Sequence, residues 1–377
     1  MPRSSLFPSA EGPRAVIDLD AIRHNVGVLI RAAAPAKVMV VVKADGYGHG
    51  AAAVAKAALE AGASELGVAT VPEALALRAA GVTAPVLAWL HTPSTDFESA
   101  LDADVTLGVS SLDQLAAIRV AARSRGVQAS VDLKIDTGLN RNGCASSDWP
   151  AFFAEAARAV ATGEVSVRGI FSHLACADDP ASPVTSQQLL KFREGIAALQ
   201  AHGITPRVRH LANSAATLTR PDTHFDLVRA GIASYGLSPV DGQDFGLAPA
   251  LSLIAPVALT KRVAAGEGVS YGHTWIAPHD TTVALIPLGY ADGIPRLLSG
   301  RFDVAIGGRR YPAVGRVCMD QFLVDLGDES SVKVGDDATI IGAGTDGFTE
   351  WAERLGTIHY ELATSIRGRV ERVYIGA

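Results

Sequence analysis

Residues 38–69 read VMVVVKADGYGHGAAAVAKAALEAGASELGVA. A β-branched apolar run (38–42) ends in a polar, glycine-bearing junction, a stretch of helix formers follows (50–61), and a second apolar run begins at Glu65. The unit recurs to about residue 230, with further runs at 85–89, 105–109, 130–135, 166–172, 207–211 and 225–229, eight in all. Strands separated by helices pair in parallel, and eight of them close a barrel. A (β/α)8 barrel is therefore predicted over residues 15–240. An open doubly wound sheet, the second choice, would carry a glycine fingerprint at its first turn, and none stands there.

Beyond residue 240 the texture changes to runs at 251–257, 282–287, 302–306 and 337–341 joined by glycine-rich turns, which predicts a mostly β domain over 241–377. Residues 1–14 are read as an N-terminal arm. The segment RAVID (14–18) is one strand too many for the barrel and is a candidate for the C-terminal sheet. Asp20 is the expected cap of the helix AIRHNVGVLI that follows.

Lys+Arg number 33 against 39 Asp+Glu, a net charge of −6 with no basic block, so the electrostatic footprint that nucleic acid or an anionic membrane requires is missing. With 48% hydrophobic and 19% charged residues the chain is globular rather than disordered. The longest apolar run near the N-terminus, 38–42, is far short of the ~20 residues that span a bilayer, and residues 1–14 hold no apolar signal region; a cytoplasmic protein is expected. Cys144, Cys176 and Cys318 are odd in number, widely spaced and outside metal-binding spacing, so free thiols and no metal site are expected.

Barrels build their sites from the loops beyond the C-terminal ends of their strands. Here those ends carry Lys43, then Lys134 and Asp136 in LKIDTGLNRNG, His173 in GIFSHLA, Asn213 and Ser214 in HLANSAA, and Arg229 in LVRAGIASYG. Polar groups at five of eight ends favour a site over decoration. Lys43, at an apolar mouth near other cations, is driven towards the neutral, nucleophilic amine that a Schiff base with a carbonyl cofactor needs. The plainer reading is a lysine reaching out of the barrel top. Tyr47 and the glycines around His49 suit an anionic group, and Ser214 with the backbone of Gly231 and Ile232 offers donors to a phosphate. Gly231 serves equally as a tight turn. Arg141 and Arg229 are the cations available for a carboxylate and a ring nitrogen, unless each is simply paired with Asp136 or Asp226. SYGHTW (270–275), GYADGIPR (289–296) and GRVCMDQ (315–321) read on texture as turns, with Tyr271 and Tyr290 half-buried.

Taken together and in order, VVKADGYGHG, LKIDTGLNRNG, SHLACAD, LANSAA, VRAGIASYGL, SYGHTW, GYADGIPR and GRVCMDQ resemble the bacterial alanine racemase family, from about residue 13 to residue 375. The resemblance implies a (β/α)8 barrel that binds pyridoxal 5'-phosphate, a C-terminal β domain, a head-to-tail homodimer with shared sites, and interconversion of L- and D-alanine that supplies D-alanine for peptidoglycan. It implies Lys43 as the cofactor lysine and Tyr271, from the partner subunit, as the opposing acid/base. By the same likeness Tyr47, Ser214, Gly231 and Ile232 hold the phosphate, Asn213 joins the cofactor-binding residues, and Arg229 faces the pyridine nitrogen. His173 orients Arg229 and Tyr271, Arg141 positions the cofactor oxygen and the substrate carboxylate, Met319 offers that carboxylate its amide, and Tyr290 lines the entrance. Lys134 lies where relatives often carry a carbamylated lysine. Three departures stand out: Gly46 for the usual alanine, Asn140 for the usual glycine, and Gly368 where some relatives have a tyrosine that reaches the phosphate.

Racemisation needs a proton removed on one face and returned on the other, which gives Lys43 the proton of D-alanine and Tyr271 that of L-alanine. Tyrosine's ordinary pKa near 10 then requires positive charge conveyed through His173 and Arg229. One competing reading is a broader racemase that also takes serine, since one small substituent changes selectivity by only ~1–3 kcal/mol. The others are a decarboxylase of the same fold, which would use a cysteine donor in place of Tyr271, and a non-catalytic pyridoxal-phosphate carrier, which would be a barrel alone.

Overall fold

The computed structural model describes residues 12–376, so the arm expected over 1–14 lies outside the described residues except at its last positions. The chain forms two units. One comprises residues 21–46 and 51–248; the other comprises the described residues up to Asp20, Tyr47–Gly50, and the chain from Pro249 onward.

The first strand, β1 (Arg14–Asp18), belongs to the second unit. The first unit is built on β2 (Lys37–Val41), β3 (Glu65–Val68), β4 (Val86–Ala88), β5 (Val105–Val109), β6 (Ala129–Lys134), β7 (Val165–Phe171), β8 (Val208–His210) and β9 (Leu227–Ala230). They form one sheet in the order β8-β7-β6-β5-β4-β3-β2-β9, all parallel. Its two ends meet where Asp226 N–H donates to Arg209 O (3.1 Å) and Arg229 N–H to Ala212 O (2.9 Å). This is the predicted barrel. Its strands are buried on both faces, so they read as continuous β-branched runs rather than as alternation.

Helix ends follow local chemistry. Ser111 accepts from Gln114 N–H at the start of Leu112–Arg125, which stops at left-handed Gly126. Thr70 and Glu73 form a capping box on Val71–Ala79. The first helix corrects an expectation: it runs Leu19–Ala33, and its cap is Asp18, whose Oδ1 accepts Asp20 N–H at 2.9 Å. Asp20 already lies inside the first turn, where its own N–H needs an acceptor.

The second unit adds β10 (Leu251–Pro256), β11 (Leu259–Val263), the short ribbon β12 (Gly268–Val269) and β13 (Trp275–Ile276), β14 (Thr281–Ile286), β15 (Asp303–Ile306), β16 (Arg309–Val314), β17 (Phe322–Gly327), β18 (Asp337–Ile341) and β19 (Glu371–Ile375). Nine strands make one sheet, ordered β11-β14-β17-β16-β15-β18-β10-β1-β19. RAVID does join it, antiparallel to β10 and parallel to β19. Two helices that the texture does not announce, Phe348–Leu355 and His359–Ser365, precede β19. The three cysteines are free thiols. Among the described residues no helix is long and apolar enough to cross a membrane.

Candidate active site

β2 stops at Val41, short of the position that the sequence gives it, and Lys43 opens a left-handed turn. Ala44, Asp45, Gly46 and Tyr47 have φ of 53°, 52°, 62° and 53°. Such backbone costs an L-residue roughly 1–2 kcal/mol, so the turn needs anchors. Glu73 Oε1 accepts Ala44 N–H at 2.7 Å while its Oε2 takes the N–H groups of Ala69 and Thr70. The acid that boxes one helix thereby fixes the residue beside Lys43. Asp45 Oδ1 accepts Ala51 N–H at 2.9 Å. A Cβ on Gly46, which has φ of 62°, would lie 3.2 Å from the Ala51 backbone, a tight approach for the alanine usual in the family.

Lys43, Lys134, Arg141 and Arg229 all bear electrostatically on His173. Burial, then Arg141, lowers the Lys43 amine below the ordinary lysine value, with Glu73 opposing. Lys134 is pushed down to about 8 by burial and by Arg229, Arg141 and Lys43. Arg229, 6% exposed, is lowered to about 10 by burial, with Asp132 opposing. The pairing with Asp226 weighed from the sequence does not occur, because Asp226 takes Arg209 (2.7 Å). Arg229 Nη1 donates to His210 O (2.9 Å) and His210 Nδ1 (3.2 Å). Its Nη2 donates to Ser172 O (2.7 Å), Leu211 O (3.3 Å) and His173 Nδ1 (3.3 Å). Among the described residues nothing accepts from its Nε–H.

With Nδ1 of His210 accepting, its proton sits on Nε2, which faces Asp132 Oδ2 at 3.1 Å. Asp132 also grips Arg168 through two bonds (2.9 and 2.5 Å), and Arg168 reaches Glu65 (2.7 Å). Burial alone would raise the Asp132 carboxyl, but the bonds from Arg168 and His210 hold it well below the usual carboxylate range. Sequence reasoning misses this chain of groups behind Arg229. Its signal was a charge inside an apolar run, Asp132 in SVDLKI and Arg168 in SVRGIF.

Burial lowers His91 and His210 to about 4, and His173 well below the ordinary value. An unfolded histidine binds its proton near pH 6.5, so the unfolded chain takes up protons that the native barrel refuses. Stability is therefore expected to fall as pH drops from about 6.5 to about 4, on the order of 3 kcal/mol for each of His91 and His210. Urea midpoints at about pH 7.5 and about pH 5 check this, and equal midpoints would mean that the imidazoles are charged inside the fold.

Arg141 stands on a loop closed at its neck by Asp136 N–H to Cys144 O and Cys144 N–H to Lys134 O, both 2.9 Å. Asp136 shapes this loop by accepting from Gly138 N–H (2.8 Å) and Asn140 N–H (3.2 Å), and it forms no ion pair with Arg141. Asn140 has φ of 55°, a conformation that asparagine tolerates, which explains its replacement of glycine. Gln188 Nε2 ties this loop to the next strand end through Thr137 Oγ1 (3.2 Å) and His173 O (3.0 Å). Ser214 Oγ accepts Gly231 N–H at 2.8 Å, bringing the loops after β8 and β9 to one point. Gly231 has φ of −107° and is not a left-handed turn; that role falls to Gly236, with φ of 83°. The Asn213 side chain accepts from Ala216 N–H (3.1 Å) as a helix cap.

In the second unit, the Tyr47 ring is buried 6.3 Å from that of Tyr360, and burial raises its phenol above the ordinary value. Arg372 Nε donates to Gly48 O at 3.2 Å. A Cβ on Gly48 would lie 2.6 Å from Ala363 O, and one on Gly50 would lie 1.9 Å from Tyr374 Oη, so only glycine fits this wedge. Tyr271, Met319 and Tyr290 are 71%, 53% and 42% exposed, which overturns the reading of the two tyrosines as half-buried packing. Their loops share one framework: Ser270 Oγ donates to Arg316 O (2.8 Å), Tyr290 N–H to Cys318 O and Ala291 N–H to Met319 O (both 3.0 Å). Gly368 has φ of 73°, a conformation that a tyrosine would adopt only under strain.

Residues 17–239 match the family model "Alanine racemase, N-terminal domain", and residues 250–374 match "Alanine racemase, C-terminal domain". The chain is 57% identical, over 97% of its length and 95% of the relative's, to an alanine racemase of Mycolicibacterium vanbaalenii. It is 55% identical, over 96% of its length and 95% of the relative's, to one of Mycobacterium tuberculosis. The crystal structure of alanine racemase from D-cycloserine-producing Streptomyces lavendulae is similar with a TM-score of 0.95, at 47% identity and 98% coverage of each chain.

Proposed function

The chain belongs to the alanine racemase family and interconverts L- and D-alanine, and on that premise we propose that Lys43 and Tyr271 are its opposed bases, with pyridoxal 5'-phosphate as cofactor. The observation that carries the proposal is the lowered Lys43 amine among Lys134, Arg141 and Arg229, a concentration of positive charge that calls for an anionic group. The donor set suits a phosphorylated pyridine aldehyde. Lys43 Nζ is the nucleophile, Ser214 with the backbone of Gly231 and Ile232 would hold the phosphate, and Tyr47 and Asn213 would add to that hold. The spare Arg229 Nε–H would meet the ring nitrogen. When bound, the cofactor supplies the electron sink that makes the α-hydrogen of alanine acidic.

Arg229 donates a hydrogen bond without surrendering its proton, because a guanidinium stays charged near neutrality. His173 accepts from Arg229 at Nδ1, so its proton lies on Nε2, where it can donate to the phenol oxygen of Tyr271 of the partner subunit. Lys43 Nζ moves the proton of D-alanine and Tyr271 Oη that of L-alanine. Arg141 and the Met319 amide receive the substrate carboxylate, and Tyr290 lines the entrance. Carbamylation of Lys134 would convert one cation of the mouth into an anion that steadies Arg141. The exposure of Tyr271, Met319 and Tyr290 supports a head-to-tail homodimer in which a second chain completes each site.

Borohydride reduction of the cofactor-loaded protein followed by peptide mapping is expected to label Lys43, and kcat/KM for both alanine enantiomers is expected to exceed that for L-serine and L-lysine. Label on another lysine would remove the cofactor assignment. Serine turned over as well as alanine would make this a broader racemase.

A further inference from the structure

We propose that Ser270 is a positioning residue that fixes the direction in which Tyr271 projects, an inference that rests on reading Tyr271 as a base. Tyr271 is 71% exposed within its own chain, so its own fold does not aim the ring by packing, and the direction in which it is presented to a partner comes from the backbone. That backbone is unusual. Ser270 has φ of 62° and ψ of −172°, a region essentially reserved for glycine, and it is followed by Gly272 at φ of 70° and His273 at φ of 43°. Glycine would sit at position 270 without strain, yet the residue there is serine. Its hydroxyl donates to Arg316 O at 2.8 Å and lies 3.5 Å from Cys318 Sγ.

The neighbours are shaped around this pose. A Cβ on Gly315 would come within 2.9 Å of Ser270 Cβ and 2.8 Å of Val269 O, so the serine side chain uses the space that Gly315 leaves. A Cβ on Gly272 would meet the Arg316 guanidinium at 3.1 Å. Arg316 therefore brackets Tyr271, holding Ser270 by its carbonyl on one side and lying over Gly272 on the other. A Cβ on Gly268 would lie 2.3 Å from His273 Cγ, which shows how closely the far end of the turn is pinned. A strained backbone persists only when its surroundings over-determine it, and the hydroxyl anchor together with two bare glycines supplies that over-determination.

Because the two enantiomers have equal free energy, any variant changes kcat/KM for racemisation equally in both directions, and the informative measurement is wash-out of the α-proton into deuterium oxide from each enantiomer alone. Ser270→Ala, which keeps the strain and removes the anchor, is expected to lower wash-out from L-alanine by about 10- to 100-fold, as misplacement of a reacting group does, and to leave that from D-alanine unchanged. Gly315→Ala, which presses on the serine from outside, is expected to give the same one-sided loss. Ser270→Gly is expected to show that loss too, but with a thermal midpoint above that of Ser270→Ala, because the backbone strain is gone. Loss from both enantiomers alike, no loss, or a Ser270→Gly midpoint at or below that of Ser270→Ala overturns the proposal. Tyr271→Phe separates the two layers. If it is one-sided while Ser270→Ala is not, the positioning role alone falls; if Tyr271→Phe is itself symmetric, the base assignment fails and this inference with it.

Discussion

Lys43→Ala is expected to abolish racemisation, by about 10⁴-fold or more, and to remove α-proton wash-out from both enantiomers, because one amine is asked both to hold the cofactor and to serve one face of the substrate. Tyr271→Phe removes only a proton carrier. Racemisation is expected to fall by about 10²- to 10⁴-fold while wash-out from D-alanine persists. Burial and Arg141 shift Lys43 towards the neutral amine, the direction that a base requires. Equal loss of wash-out from the two enantiomers in Tyr271→Phe would remove the two-base assignment.

The second large effect is a recovery. If Tyr271 works in the partner's site, mixing inactive Lys43→Ala with inactive Tyr271→Phe is expected to restore about a quarter of wild-type activity. Random reassortment puts half the chains into heterodimers, and a head-to-tail heterodimer has one site with both lesions and one with neither. If Tyr271 served Lys43 of its own chain, every site would carry one lesion. A mixture that demonstrably exchanges subunits and stays inactive would rule out the shared site, leaving the family assignment intact.

The barrel was legible because its strands are buried on both faces and follow one another at helix spacing, so that 105–109 and 112–125 could be placed from composition alone. The C-terminal sheet was legible in outline only. β11 (LTKRV) is mostly solvated and holds no apolar run, and Phe348–Leu355 and His359–Ser365 are too short for helical periodicity to separate from turns. Strand-end position singled out Lys43, Lys134, His173 and Arg229, which the fold brings within electrostatic reach of one another. It could not find the left-handed turn at Ala44, since alanine carries no signature of that conformation, nor the support given by Glu73 and Asp132, whose partners are distant in sequence. It misjudged Tyr271 and Tyr290, because composition cannot say that a turn tyrosine faces away from its own fold.

β1 pairs with β10 and with the last strand, β19, and the segment Tyr47–Gly50 is wedged against Ala363, Arg372 and Tyr374. On a ribosome, which delivers the chain from its N-terminus, all eight barrel strands emerge while the stretch just after Lys43 still lacks its backing. That stretch is finished only when Ala363, Arg372 and Tyr374 have been made. If that loop holds the cofactor as proposed, its capture waits on the making of β19, and a nascent chain that stops before Arg372 leaves the loop without its support.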